Sequence, residues 1–148
     1  MTLDYTAQFP LSLVISRKTI LRYQLLFRHL LQLKHLSNGL GATWLEHHKS
    51  PVWRNKTAHP ELDKWKSRVF ALRARMFLFV QQMYSFAVSE VLEPNWRKLE
   101  KVLEKVQTVD ELLRDHVDFL DTCLKECLLT NEKLLIVRSS FLSANRRR

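Results

Sequence analysis

The stretch "LDKWKSRVFALRARMFLFVQQMYSF" (Leu62–Phe86) decides the fold. Leu62, Trp65, Val69, Leu72, Met76, Phe79, Met83 and Phe86 follow one another in steps of three and four, the spacing of an a/d heptad seam on one side of a helix. Phe70, Phe77 and Tyr84 repeat every seven residues on a different face. Arg68 and Arg75 flank the seam on one side, Lys66 and Arg73 on the other. The seam is read as the core-facing side. The second stripe suits either a further packing face or a surface for a partner.

Upstream, Pro60 and Glu61 suit a first helical turn, where a proline loses nothing by lacking an N–H. The segment His47–Pro60, with two prolines and no period, reads as an exposed loop. Before it, Ser16 is a plausible N-cap for a helix running from Arg17 to about Glu46. Its apolar residues cover more than one side, as in a helix buried among several neighbours. Gly39 and Gly41 weaken that helix by about 1 kcal/mol each relative to alanine, yet Leu36, Leu40 and Trp44 keep helical spacing across them. Residues 1–15 alternate apolar and polar around Pro10, which predicts a short extended lead-in lying against helices.

Downstream, Pro94 marks a kink or a new helix start. Trp96, Leu99, Leu103 and Val106 carry an apolar face onward. "TVDE" (Thr108–Glu111) is a capping box, opening a helix to about Leu128 through Leu112, His116, Leu120, Cys123 and Cys127. A last helix is expected over Leu134–Leu142, then a frayed tail at 143–148. The expectation is one all-α domain of 148 residues, a bundle of about five helices with a short extended N-terminal segment. A chain of this length buries roughly 70% of its unfolded surface.

The net charge is +9 and lies in the first 80 residues, which hold 13 Lys/Arg against 4 Asp/Glu; the remainder balances at 11 of each. Such a field favours an acidic partner: nucleic acid, an anionic membrane or an acidic protein. No signal peptide opens the chain, and no apolar run reaches a membrane span. With two cysteines and no secretory signal, a reducing, cytosolic compartment is expected.

Reactive constellations are sparse. His116, Cys123 and Cys127 share a helix face, but zinc sites usually take four ligands, and small thiols commonly fill cores. His47, His48 and His59 read as surface histidines of the loop. Two glycines cannot make a phosphate loop, and neither cysteine sits at a helix start or cleft. No metal, no cofactor and no enzymatic activity are expected.

"LDYTAQFPLSLVISRKTILRYQLLFRHLLQLKH" (Leu3–His35) closely resembles the C-terminal half of the gamma-tubulin complex component family. Three later blocks agree in order: Arg73-Ala-Arg75-Met76 with Phe79-Val80-Gln81, "EVLEPNW" (Glu90–Trp96) and "HVDFLDTCLKECLLTN" (His116–Asn131). The resemblance implies a helical, non-enzymatic domain that binds gamma-tubulin and helps position it for microtubule nucleation. The implied partners are gamma-tubulin and other complex components, with no nucleic acid and no membrane. The implied place is the cytoplasm and cytoskeleton, at a microtubule-organising centre such as a centrosome or spindle pole. Nucleotide in such assemblies belongs to gamma-tubulin, so none is expected here.

Arg68, Phe70, Arg73, Arg75 and Phe77 are the candidate gamma-tubulin contacts. The family's N-terminal half has no counterpart in these 148 residues, so the chain is read as a fragment, a truncated product or a divergent gene model. Two other readings stand beside this one. A basic helical nucleic-acid binder would share the charge, though no short helix-turn-helix or finger spacing appears. A truncated fragment without independent function would lack a cooperative melt.

Overall fold

The computed structural model describes residues 4–130, and these are helical with no β-strand among them. Four long helices occur: α1 (Arg17–Lys49), α3 (Pro60–Ser85), α4 (Glu93–Leu103) and α5 (Val109–Glu126), with a single turn, α2 (Pro51–Arg54), between the first two. A π-helical stretch, Phe86–Leu92, leads from α3 into α4. The fold is all-α. The helix expected over Leu134–Leu142 and the tail at 143–148 lie outside the described residues.

Local chemistry accounts for most boundaries. At the start of α1, Ser16 Oγ accepts from Thr19 N at 3.4 Å, and Ser16 O accepts from Ile20 N at 3.0 Å. The glycines do not stop the helix, which runs through both to Lys49. Thr108 caps α5 by accepting from Glu111 N at 3.3 Å, while Glu111 Oε2 reaches back to Gln107 N at 3.3 Å. Pro94 falls in the first turn of α4. It has no N–H for the preceding turn and its ring crowds the Glu90 carbonyl, so the widened π turns just upstream are where the strain is taken up.

Two segments differ from expectation. Residues 4–8 have no regular structure, but Leu11–Leu13 form a 3-10 turn rather than an extended run. Pro10 sits at φ −88, ψ −7, which turns the chain, and the alternating apolar residues find no strand to pair with. The expected loop at His47–Pro60 is largely helical. α1 takes in His47 to Lys49, and Ser50 opens the α2 turn with Pro51 in its first position.

The chain forms two compact units. One comprises Leu30–Phe86, the other the described residues up to His29 together with those from Ala87 onward. In the Leu30–Phe86 unit, the second part of α1 pairs antiparallel with α3: Lys34 meets Tyr84, Leu40 meets Arg73 and Trp44 meets Phe70. At its connector end, the His47 and Trp53 rings stack at 4.0 Å, and Trp65 lies 5.5 Å from Trp53. Phe70 presents an edge to Trp44, His47 and Trp53 at 5.6–5.8 Å. Aromatic edge-to-face pairs add about 1 kcal/mol beyond their burial, which favours this geometry.

Lys66, mid-helix and buried, closes the connector. Its Nζ donates to Val52 O at 2.7 Å and Asn55 O at 3.1 Å and lies 3.7 Å from Asp63 Oδ1. An ammonium can be buried only with partners of this kind. The lysine substitutes for the next turn of backbone donors that α2 is too short to provide.

The other unit is built on α5. His116, Leu120, Cys123, Leu124 and Cys127 form its buried face, with Leu120 and Cys123 fully enclosed. α4 folds back on it through the Trp96–Phe119 ring pair at 6.0 Å and a hydrogen bond from Asn95 Nδ2 to Glu126 Oε2 at 2.6 Å. The N-terminal part of α1 reaches α5 through Tyr23 Oη and His116 Nε2 at 2.8 Å, and Arg22 grips Asp121 in a two-pronged ion pair. α5 ends on Leu128 at φ 59, with Leu129 N donating to Leu124 O at 2.9 Å and Leu128 N to Lys125 O at 3.0 Å. This is the left-handed stop usually made by glycine.

Candidate partner-binding face

The five candidate contacts on α3 fall on two sides of the helix. Phe70 and Phe77 are half-buried and face α1, Phe70 inside the ring cluster just described. Arg73 is also turned inward. Its guanidinium lies 4.8 Å over Trp44 and 5.9 Å from Phe77, and Nη1 donates to Leu40 O at 3.2 Å. A cation over an indole face is attracted to the ring's negative quadrupole, so the arginine serves as packing. Arg68 and Arg75 are exposed. Thus the stripe Phe70, Phe77, Tyr84 is the packing face within the Leu30–Phe86 unit.

The heptad seam, expected in the core, is turned largely outward. Leu72 is 60% exposed and Phe79 62%, and Leu62, Trp65 and Phe86 are exposed as well, while Val69, Met76 and Met83 are half-buried at the border. The physical reason is that α3 carries apolar residues on two faces and has one long neighbour in its unit. One face packs on α1 and the other stays open.

On that open side Trp65, Arg68, Leu72, Arg75 and Phe79 succeed one another at steps of three and four, so they form one line along the helix. Between Asp63 and Glu90 the sequence has no Asp or Glu, so no carboxylate interrupts the line. The arrangement offers large apolar contacts alternating with cations. It suits an acidic surface with apolar knobs, because a desolvated cation needs a countercharge.

Reactive groups elsewhere are held quiet. Burial pushes the Cys123 thiol up to about 11 and raises Cys127 as well, aided by Glu126, so both stay protonated. Burial also lowers His116 below its usual value. Among the described residues no three His, Cys, Asp or Glu side chains converge to hold a metal ion. Of the histidines expected on a surface loop, His47 is instead half-buried in α1, stacked on Trp53 and against Phe70, although its Nδ1 is buried without a hydrogen-bond partner; His48 and His59 are exposed. No helix of the described residues is long and apolar enough to cross a membrane.

Sequence reasoning missed Trp53 and Lys66 as connector anchors and Leu72 and Phe79 as surface residues. The carboxylate-free run from Lys64 to Ser89 was the available signal for the last two, since a long uncompensated basic helix with excess apolar residues is not a simple solvated face.

The fold defines an all-helical protein whose longest helices leave an apolar, basic face open. A family model described as "Gamma tubulin complex component C-terminal" matches residues 1–144, and the chain belongs to the gamma-tubulin complex component family. It is 48% identical over 143 residues to the spindle pole body component alp4 of Schizosaccharomyces pombe, covering 97% of this chain and 18% of the relative. It is 43% identical over 143 residues to gamma-tubulin complex component 2 of Mus musculus, covering 95% and 15%. The Arabidopsis thaliana component 2 is 36% identical over 128 residues, covering 86% and 18%. The chain therefore spans less than a fifth of the length of these relatives.

Proposed function

We propose that this chain supplies gamma-tubulin-binding surface in a gamma-tubulin complex, a non-enzymatic role at a microtubule-organising centre, alongside other complex components. The observation that carries the reading is the outward line of α3, in which Arg68, Leu72, Arg75 and Phe79 stand free while the packing face is already used. Family membership supplies the complex; the apolar and basic chemistry of the line fits a tubulin-like acidic partner. Of the sequence candidates, Arg68 and Arg75 are contacts in this reading. Phe70, Arg73 and Phe77 hold α3 against α1 and present those contacts.

A pull-down with purified gamma-tubulin tests it. Arg68→Glu with Arg75→Glu should weaken binding about tenfold or more, the usual scale for reversing charges at a complementary interface, with helicity unchanged. Leu72→Ser with Phe79→Ser should do the same. Arg73→Glu should lower the melting temperature as well as binding, because it is packed on Trp44. No binding by a cooperatively folded chain, or full binding by both outward double variants, would sink the proposal.

A further inference from the structure

We propose that Thr57 is a phosphorylation site for an arginine-directed Ser/Thr kinase, and that phosphate there unlocks the α2 turn from α3. Thr57 lies in the short non-helical connector between Arg54 and Pro60. Arg54 and Lys56, both exposed, stand three and one residues before it. An arginine at that spacing is a bidentate handle for an acidic kinase pocket. In all 148 residues this is the one place where an arginine precedes a Ser or Thr by three. Of the other threonines with basic residues within three positions upstream, Thr19 is only 2% exposed and bonded to Ser16, and Thr108 has a lysine in place of the arginine and uses its hydroxyl to cap α5. Irregular backbone at Asn55–His59 lets the connector be drawn into a kinase cleft, which a helix would resist.

The hydroxyl also occupies a mechanically loaded position. Thr57 Oγ1 donates to Asp63 Oδ1 at 2.7 Å, and Thr57 N lies 3.2 and 3.3 Å from the two carboxylate oxygens. Asp63 is in turn 3.7 Å from Lys66 Nζ, which holds Val52 O and Asn55 O. A chain of hydrogen bonds joined by one ion pair thus runs from Thr57 to the turn that carries Trp53. In the transfer, Oγ1 attacks the γ-phosphorus of ATP, the bond to the β–γ bridging oxygen breaks with its electron pair to give ADP, and the hydroxyl proton passes to the kinase's base. The product loses the hydroxyl donor to Asp63, leaving only the Thr57 amide there, and places about −1.5 to −2 charge beside that carboxylate. Repulsion opens the Thr57–Asp63 contact, and the phosphate competes for Lys66, which releases Val52 O and Asn55 O.

The inference is independent of the gamma-tubulin reading, since its test contains no partner. The full chain is incubated with ATP and the catalytic subunit of protein kinase A, a basophilic kinase, and followed by intact mass and fragment mapping. Phosphate is expected on Thr57, absent in Thr57→Ala, retained in Thr57→Ser, and formed about tenfold or more slowly in Arg54→Ala, the loss usual on truncating one partner of a charge pair. Hydrogen exchange of the Trp53–Thr57 amides should accelerate in the phosphorylated chain. No phosphate on Thr57 in the folded chain overturns the site, and phosphate without faster exchange overturns the unlocking.

Discussion

Gly39 and Gly41 sit in the interior of α1, and replacing both by alanine should stabilise the protein. Neither glycine has a positive φ, and a Cβ built on either meets no atom within 4 Å. The added methyl groups therefore cost no strain and no clash. Nor do they disturb the one local hydrogen bond, from Thr43 Oγ1 to Gly39 O at 3.0 Å, because that carbonyl is kept. What remains is the loss of backbone freedom in the unfolded chain, about 1 kcal/mol for each glycine in a helix interior. The two positions share no partner, so the effects should add to about 2 kcal/mol. For a chain of this size 1 kcal/mol shifts the midpoint by about 4 °C, so Gly39→Ala/Gly41→Ala should melt about 8 °C higher. Thermal unfolding followed by circular dichroism at 222 nm measures it. A double variant that melts at the wild-type temperature or below would refute the reasoning, because a glycine would then be needed for a bend or close approach at one of these positions.

Three further outcomes follow from the packing. Leu128→Gly should raise stability by about 1 kcal/mol, since a left-handed leucine costs roughly that much and about half of the residue is exposed; a denaturant midpoint that falls instead would show that the leucine is packed. Lys66→Met should cost about 2 kcal/mol in the same assay, as it leaves Val52 O, Asn55 O and Asp63 without their cation; an unchanged midpoint would mean water serves as well. Burial holds His116 below the ordinary histidine value, so the unfolded chain binds that proton more readily. Stability should be fully present above about pH 6.5 and decline as the pH falls below it, and His116→Gln should flatten that part of the curve. Equal slopes for both proteins between pH 7.5 and 5.5 would remove His116 as the cause.

Much of the fold was legible because its signals are local. Ser16, the Thr108–Glu111 box and Pro94 act on their own turns, and each marks a boundary where the structure has one. The first helix was correctly read as continuing through both glycines, because the periodicity crosses them. The connector was misread because its composition, with two prolines and several polar residues, hides the helical turn that Lys66 completes from fourteen residues away. The heptad seam was legible as a seam, but periodicity reports that a face is apolar and says nothing of what covers it. On α3 the choice between two apolar faces is made by Trp44, Trp53 and His47, which no spacing within Leu62–Phe86 could disclose. For the candidate site, the flanking arginines were found and split by the structure: Arg68 and Arg75 outward, Arg73 inward.

The run without carboxylates has an electrostatic consequence for α3. A surface helix ordinarily neutralises itself, placing Glu and Lys one turn apart. Beyond its first turn α3 cannot, because from Lys64 to its end at Ser85 it carries Lys66, Arg68, Arg73 and Arg75 and no carboxylate. Its positive charge is therefore balanced by small anions drawn from solution, held loosely within a Debye length of about 8 Å at physiological salt. An acidic surface that docked there would send those anions back to bulk water. Part of the driving force would then be the entropy of released salt, and the affinity would weaken as salt is added even though no nucleic acid is involved.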